Sequence, residues 1–404
     1  MYDYDDVKSI VTDKWDYEVN ENGLEVTEDR DIARIIIRID KLVEKFDLND
    51  VSFEVSSNQE CSVGEKIYQK LNFGYTGGLS CKSKIVNQFF KEYLSIRDCR
   101  RGDFDSARAF SPNMTVYIQW MDDVEKSMET FDKMNSLSQI DSLGSYKVSY
   151  NDLENRIYKC FSDLGDKING PGFKRIKSRI KKTCDKNYRS MLSYIDRLFE
   201  NRSRLLVVRL DLKYKKDYND ARRKIISNSG FSSQEIDEFE NVKSDMERLL
   251  ANRRHNKIFD GLLGYIWKLE YGVLTRYHYH VMFFFNSSTK RADKLIGKSI
   301  GEYWSNEITQ GRGTYFNVNA SHNNYKFNVR GQIHYTDEDA REGLRHLAGY
   351  FSKADYFMRL KLPKRLRGHQ KVNYRTMGKG QIQAPVPSKG GRPRKLSKQP
   401  SSCM

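Results

Sequence analysis

Apolar positions in the first 200 residues recur about every 3.6 residues. Asp31–Phe46 (DIARIIIRIDKLVEKF), Val86–Ile96, Thr115–Met134, Asn151–Ile168 and Phe173–Phe199 each carry one apolar stripe, which predicts five helices. Turn clusters at Tyr75-Thr76-Gly77-Gly78 and Asn169-Gly170-Pro171-Gly172 punctuate them. After about Leu198 the period changes. Arg204–Tyr214 (RLLVVRLDLKY) alternates Leu206, Val208, Leu210 and Leu212 with Arg209, Asp211 and Lys213, the pattern of a strand. A helix is expected from Ser232…Glu235 to about Asn252, then strands over Leu262–Tyr271 and Arg276–Phe285. A helix near Lys290–Trp304, strands at Thr314–Asn319 and Val329–Tyr335, and a helix from Asp337 to Arg359 with a Thr336…Asp339 capping box complete the pattern. The order β-α-β-β-α-β-β-α predicts an α+β fold, an antiparallel sheet covered by helices. No apolar periodicity continues past Arg359.

The expected organisation is a mostly helical region of unstated role over residues 1–198, a domain over 199–362, and a flexible tail over 363–404. Charge sharpens that last boundary. The chain of 404 residues has 70 Lys+Arg against 54 Asp+Glu, a formal charge of +16. Thirteen of the cations, and no Asp or Glu, fall between Arg359 and Met404, so the rest of the chain is nearly neutral. A polyanion suits such an arm, because neutralised phosphates release counterions. Lys364, Arg365, Arg367, Arg392, Arg394 and Lys395 are the candidate DNA-binding residues. Gly391-Arg392-Pro393-Arg394 looks like the core of an AT-hook, although a solvated basic tail has the same composition. A second basic run, Lys174–Lys182, opens the helix ending near Phe199, with Ile176 and Ile180 starting its apolar stripe; its charged face either meets a nucleic-acid backbone or is simply hydrated. No apolar run approaches the ~20 residues of a membrane span, and the N-terminus MYDYDDVKSI is acidic where a secretory signal is basic. A cytoplasmic protein without membrane partners is expected. The six cysteines show no paired spacing, which fits reduced, incidental thiols.

The segment Trp267–Phe283 carries the chemistry. On a strand, His278 and His280 face the same way, while Tyr279 points oppositely with Val281 and Phe283. A hairpin centred on Leu274 sets Glu270 across from His278 on the histidine face, with Cβ atoms about 4.5–5.5 Å apart. Two imidazoles and a carboxylate then converge as a three-sided metal site. A register slip of one residue turns Glu270 away. In the last helix, Leu344, Leu347, Phe351, Ala354 and Met358 form the core stripe, and His346, Tyr350 and Lys353 a second stripe at its edge.

These pieces, following Leu206–Asp211, resemble the HUH endonuclease superfamily of rolling-circle replication initiators. Arg204–Arg359 more specifically resembles the YagK/YfjJ C-terminal-domain family of prophage and inovirus-type replication-associated proteins, through GYIWKLEYGVLTRYHYHVMFFFN, IGEYWSNEITQGRGTYFN and AGYFSKADYF. The resemblance implies that His278 and His280 hold Mg²⁺ or Mn²⁺, with Glu270 or Asp211 as third ligand. It implies that Tyr350 attacks a phosphate to leave a 5′-phosphotyrosine, with Lys353 steadying the phosphate or aiding loss of the phenolic proton. The implied enzyme is a metal-dependent nicking–closing endonuclease acting on single-stranded and duplex origin DNA of a phage or mobile element in a bacterial host. No GxxxxGK[ST] motif is present, so unwinding would fall to a host helicase. Two other functions fit parts of the pattern: an inactive DNA-binding regulator on the same fold, and an Fe²⁺ oxygenase using the histidines and carboxylate.

Overall fold

The computed structural model describes residues 18–20, 23–25, 28–52, 54–55, 79–80, 83–98, 108–138, 150–215, 233–272, 276–321, 329–360, 366–367, 370–371 and 374–382. The five helices expected in the first half form as α1 (Glu28–Glu44), α2 (Lys84–Asp98), α3 (Pro112–Ser138), α4 (Tyr150–Asn169) and α5 (Pro171–Asn201). Ser111 caps α3, its hydroxyl accepting from Met114 N at 3.1 Å, and Pro112 begins the helix where its missing N–H costs nothing. A short strand, β1 (Arg108–Phe110), precedes that cap. In the second half come β2 (Arg204–Tyr214), α6 (Ser233–Asn252), β3 (Leu262–Gly272), β4 (Arg276–Asn286), α7 (Asp293–Tyr303), β5 (Gly313–Asn317), β6 (Gly331–His334) and α8 (Glu338–Phe357). The fold is α+β in the order expected. The α8 cap is Asp337, whose Oδ1 accepts from Ala340 N at 3.0 Å, rather than Thr336, which turns to His334.

All the long strand pairs are antiparallel, and β4 lies between β2 and β3. The opposite edge of β2 is shared end to end: β6 pairs with Arg204–Val207 and β5 with Leu210–Tyr214. Asn319 fills the gap, accepting from Arg209 N at 2.8 Å and donating to Val207 O at 2.8 Å, so the buried backbone between the two strands is satisfied.

Alternation sorts the strand residues between two cores. Leu206, Val208, Leu210, Leu269, Tyr279, Val281 and Phe283 pack under α6 and α7 against Phe239, Met246 and Trp304. Leu205, Val207, Ile266, Met282 and Phe284 face α5 and α8. Burial on both faces explains why β4 ends in the uninterrupted run Val281–Phe285. Gly301 allows α7 to lie directly on the Tyr315 ring, a space any Cβ would fill.

The core under α5 and α8 runs on without a break into Ile36, Phe89, Trp120 and Phe161 of the first four helices, and a boundary at residue 198 would fall inside the last turn of α5. Ser111 N also donates to Phe357 O at 2.9 Å, and β1 pairs with β7 (Met358–Leu360), so the helical half is tied to the end of α8. Met358 is thus a strand residue, not part of the helical stripe. Beyond residue 363 the chain is not all tail: β8 (Met377–Lys379) pairs with β3, and Tyr374 stacks edge-on against Phe239 at 4.9 Å. Three residues are too short a run to register as a period. Finally, Ile176 is 46% exposed, because α5 extends past the body that buries its second half.

Candidate metal centre

The β3–β4 hairpin has the register inferred from the alternation, with Glu270 opposite His278 and Lys268 opposite His280. His278, His280 and Glu270 therefore share the sheet face that α8 covers. One ligand atom from each lies within 4.8 Å of the others. Glu270 Oε2 is 3.3 Å from His280 Nε2 and 3.8 Å from His278 Nε2.

The outer nitrogens explain why the inner ones face the carboxylate. His278 Nδ1 meets the Arg276 carbonyl at 3.0 Å, and His280 Nδ1 meets Asp211 Oδ1. Both partners accept, so both Nδ1 atoms carry the proton and both Nε2 lone pairs point to the common centre. Arg276 adopts φ +53°, uncommon for a residue with a side chain. Among the described residues His280 Nε2 is buried with no hydrogen-bond partner, an arrangement costly for a neutral core histidine and suited to a metal donor. Two imidazoles and one carboxylate with open positions fit a divalent transition metal, or Mg²⁺ or Mn²⁺ completed by oxygen ligands. Asp211 stands behind His280 at Nδ1, and Glu270 is the carboxylate that faces both Nε2 atoms.

Tyr350 comes from α8, eighty residues away in the chain. Its hydroxyl donates to Glu270 Oε1 at 2.5 Å and lies 2.6 Å from Oε2. Its ring stands edge-on to His280 with centroids 6.1 Å apart. Tyr350 is 2% exposed, more enclosed than the border position that the helical stripe suggested, because α8 lies flat on the histidine face of the sheet. Lys353 sits one turn further along α8, and its side chain lies outside the described residues. So do Lys364, Arg365, Arg392, Arg394, Lys395 and the side chain of Arg367, whose backbone pairs within the hairpin of Leu366–Arg367 and Gln370–Lys371.

One feature escaped the sequence reading. Lys268, 2% exposed, forms an ion pair with Asp355 of α8. Burial holds the Asp355 carboxyl above its ordinary value against the opposing pull of Lys268. The pair clamps α8 to β3 five residues beyond Tyr350. The signal in the sequence was a lysine on the same alternating face as Glu270.

Residues 172–366 match the family model of the YagK/YfjJ C-terminal domain. The span begins in α5 and includes Asp211, Glu270, His278, His280 and Tyr350, so the segment similar to this family contains the whole site. No curated protein and no solved structure matches the chain. Among the described residues, no helix is long and apolar enough to cross a membrane.

Proposed function

We propose that this protein is a metal-dependent DNA nicking–closing enzyme with a tyrosine nucleophile, of the HUH type, which initiates rolling-circle replication of a phage or mobile element. The observation that carries this reading is the Tyr350 hydroxyl resting on Glu270 beside two imidazoles whose lone pairs face it. A divalent ion such as Mg²⁺ or Mn²⁺, when held by His278, His280 and Glu270, supplies Lewis-acid polarisation of a phosphate.

The residues of the chain account for the rest. Asp211 and the Arg276 carbonyl keep both imidazoles in one tautomer and one orientation. Glu270 has two oxygens: Oε2 faces the imidazoles, which leaves Oε1 to receive the proton of Tyr350. As that proton moves to Oε1, Tyr350 Oη forms a bond to phosphorus and the bond from phosphorus to the 3′ oxygen breaks. The leaving oxygen takes up a proton to become a free 3′-hydroxyl, and the 5′-phosphate remains on the tyrosine. The ester conserves the phosphodiester energy, so closing is the same step reversed. Lys353, one turn beyond the nucleophile, would offset charge on the phosphate.

The test is incubation with a pool of single-stranded oligonucleotides and Mn²⁺. A protein–DNA species that survives denaturation is expected, and Tyr350→Phe should abolish it. An adduct that forms undiminished in that variant rules out the nucleophile.

A further inference from the structure

We infer that the outward face of α5 is a docking surface for the phosphate backbone of double-stranded DNA, separate from the Glu270–His278–His280 site. Between Pro171 and Ile195 this helix carries eight Lys/Arg and a single acid, Asp185. Its other face is committed. Met191, Tyr194, Ile195, Leu198 and Phe199 are buried, Tyr194 Oη accepts from Tyr265 N at 3.2 Å, and Lys177 is held by Glu44 at 2.6 Å.

What remains outward is ordered. Arg175, Arg179, Lys182, Lys186 and Arg189 are all exposed. Their spacing of four, three, four and three keeps them within an arc of roughly 80° and spreads them over about 21 Å of helix. Asp185 falls at the edge of the arc and is half-buried. No ion pair reaches these five among the described residues; Arg175 and Arg189 touch only helix carbonyls, of Pro171 and Asp185, at 3.3 and 3.4 Å. A sixth cation arrives from a different element: Lys379 of β8 donates to Ser190 O and Oγ, both at 2.7 Å. Burial, and then the positive charge of Arg197, pull its ammonium below the ordinary range.

The chemistry of this ribbon selects a duplex. Surface lysines and arginines ordinarily alternate with acids, and an unrelieved row along one rigid rod calls for a polyanion that is itself a rod. Duplex DNA carries one negative charge per ~1.7 Å of its axis, enough to meet every cation. A single strand is held by aromatic stacking as well as charge. The arc offers none, since Tyr188 and Phe173 are half-buried beside it. A membrane surface calls for an apolar flank, and Ile176 alone is exposed there. Phosphate contacts of this kind orient a protein on the duplex without reading its sequence.

The experiment uses full-length protein and arbitrary-sequence duplex DNA in EDTA, with anisotropy recorded from about 50 to 200 mM salt. The variant R179Q/K182Q/K186Q/R189Q keeps good helix formers, and its far-UV circular dichroism should match the parent. Losing four phosphate contacts at about 0.9 counterion each makes the slope of log Kobs against log salt shallower by about 3 to 4, and weakens binding at ~0.1 M salt on the order of 10³-fold. Lys182→Gln alone should make the slope shallower by about 0.9 and weaken binding roughly eight-fold, which keeps the test decisive if the multiple variant folds poorly. An unchanged slope and affinity would overturn the proposal. So would an equal loss on single strands, or a ribbon-dependent preference for duplex RNA or anionic vesicles over duplex DNA. Neither metal nor Tyr350 takes part in this assay, so it stands or falls apart from the nicking chemistry.

Discussion

Replacing Asp211 and Glu270 in turn separates the group that orients a ligand from the ligand itself. His280 has 9% of its side chain exposed and Asp211 23%, so their hydrogen bond is largely shielded from water. Asp211→Asn keeps an oxygen that accepts from His280 Nδ1 and removes only the charge. The imidazole then loses basicity but not direction, and Mn²⁺ affinity should fall about 10- to 100-fold, or about 1.4–2.7 kcal/mol. Asp211→Ala leaves a buried N–H unpaired, which adds about 1–3 kcal/mol of lost stability to the same loss of affinity. Glu270→Gln removes the anionic donor. A unit charge at ~4 Å and an effective dielectric of ~20 is worth about 4 kcal/mol, so affinity should fall at least 10³-fold. Calorimetric titration with Mn²⁺, alongside thermal melts of the metal-free proteins, measures all three. If Asp211→Asn abolishes binding as fully as Glu270→Gln, Asp211 is a ligand and the assignment fails. If Glu270→Gln binds Mn²⁺ like the parent, the carboxylate is not in the site.

Two further outcomes follow from the buried groups around the site. Lys268→Met should destabilise by about 3–5 kcal/mol, because it leaves Asp355 of α8 unpaired against the sheet, whereas Lys268→Met with Asp355→Leu should recover much of that in a denaturant melt; equal loss in both would mean the pair does no clamping. Burial pushes the Cys184 thiol up to about 12, with the Asp355 carboxylate adding to it. The folded state favours the neutral thiol, so its contribution is complete below the unfolded value of about 8.5 and is lost as pH rises from there toward 12. Cys184→Ala should therefore flatten the alkaline decline in stability, and iodoacetamide should modify native Cys184 far more slowly than the unfolded chain at pH 8; equal rates would contradict the burial.

The local pattern was sufficient wherever one period governed one element. The alternation through Leu206–Leu212 and the symmetry of the hairpin about Leu274 placed Glu270, His278 and His280 together, because a strand residue has only two faces to choose from and a short turn permits few registers. Helical spacing located the five expected N-terminal helices to within a few residues for a similar reason. Ile176 shows its limit: a stripe records where apolar residues lie, not whether a partner reaches them.

Contacts between distant segments were another matter. In the sequence Asp211 is only the competitor of Glu270 for the third position; that it meets Nδ1 of His280 rather than Nε2 depended on β2 lying against β4. The meeting of Tyr350 with Glu270 and the burial of Lys268 against Asp355 both required α8 to settle across the sheet. The strand at Met377–Lys379 formed because an open edge of β3 was there to receive it. Periodicity is a property of a chain with itself, whereas these contacts depend on which surfaces remain uncovered once the layers have packed.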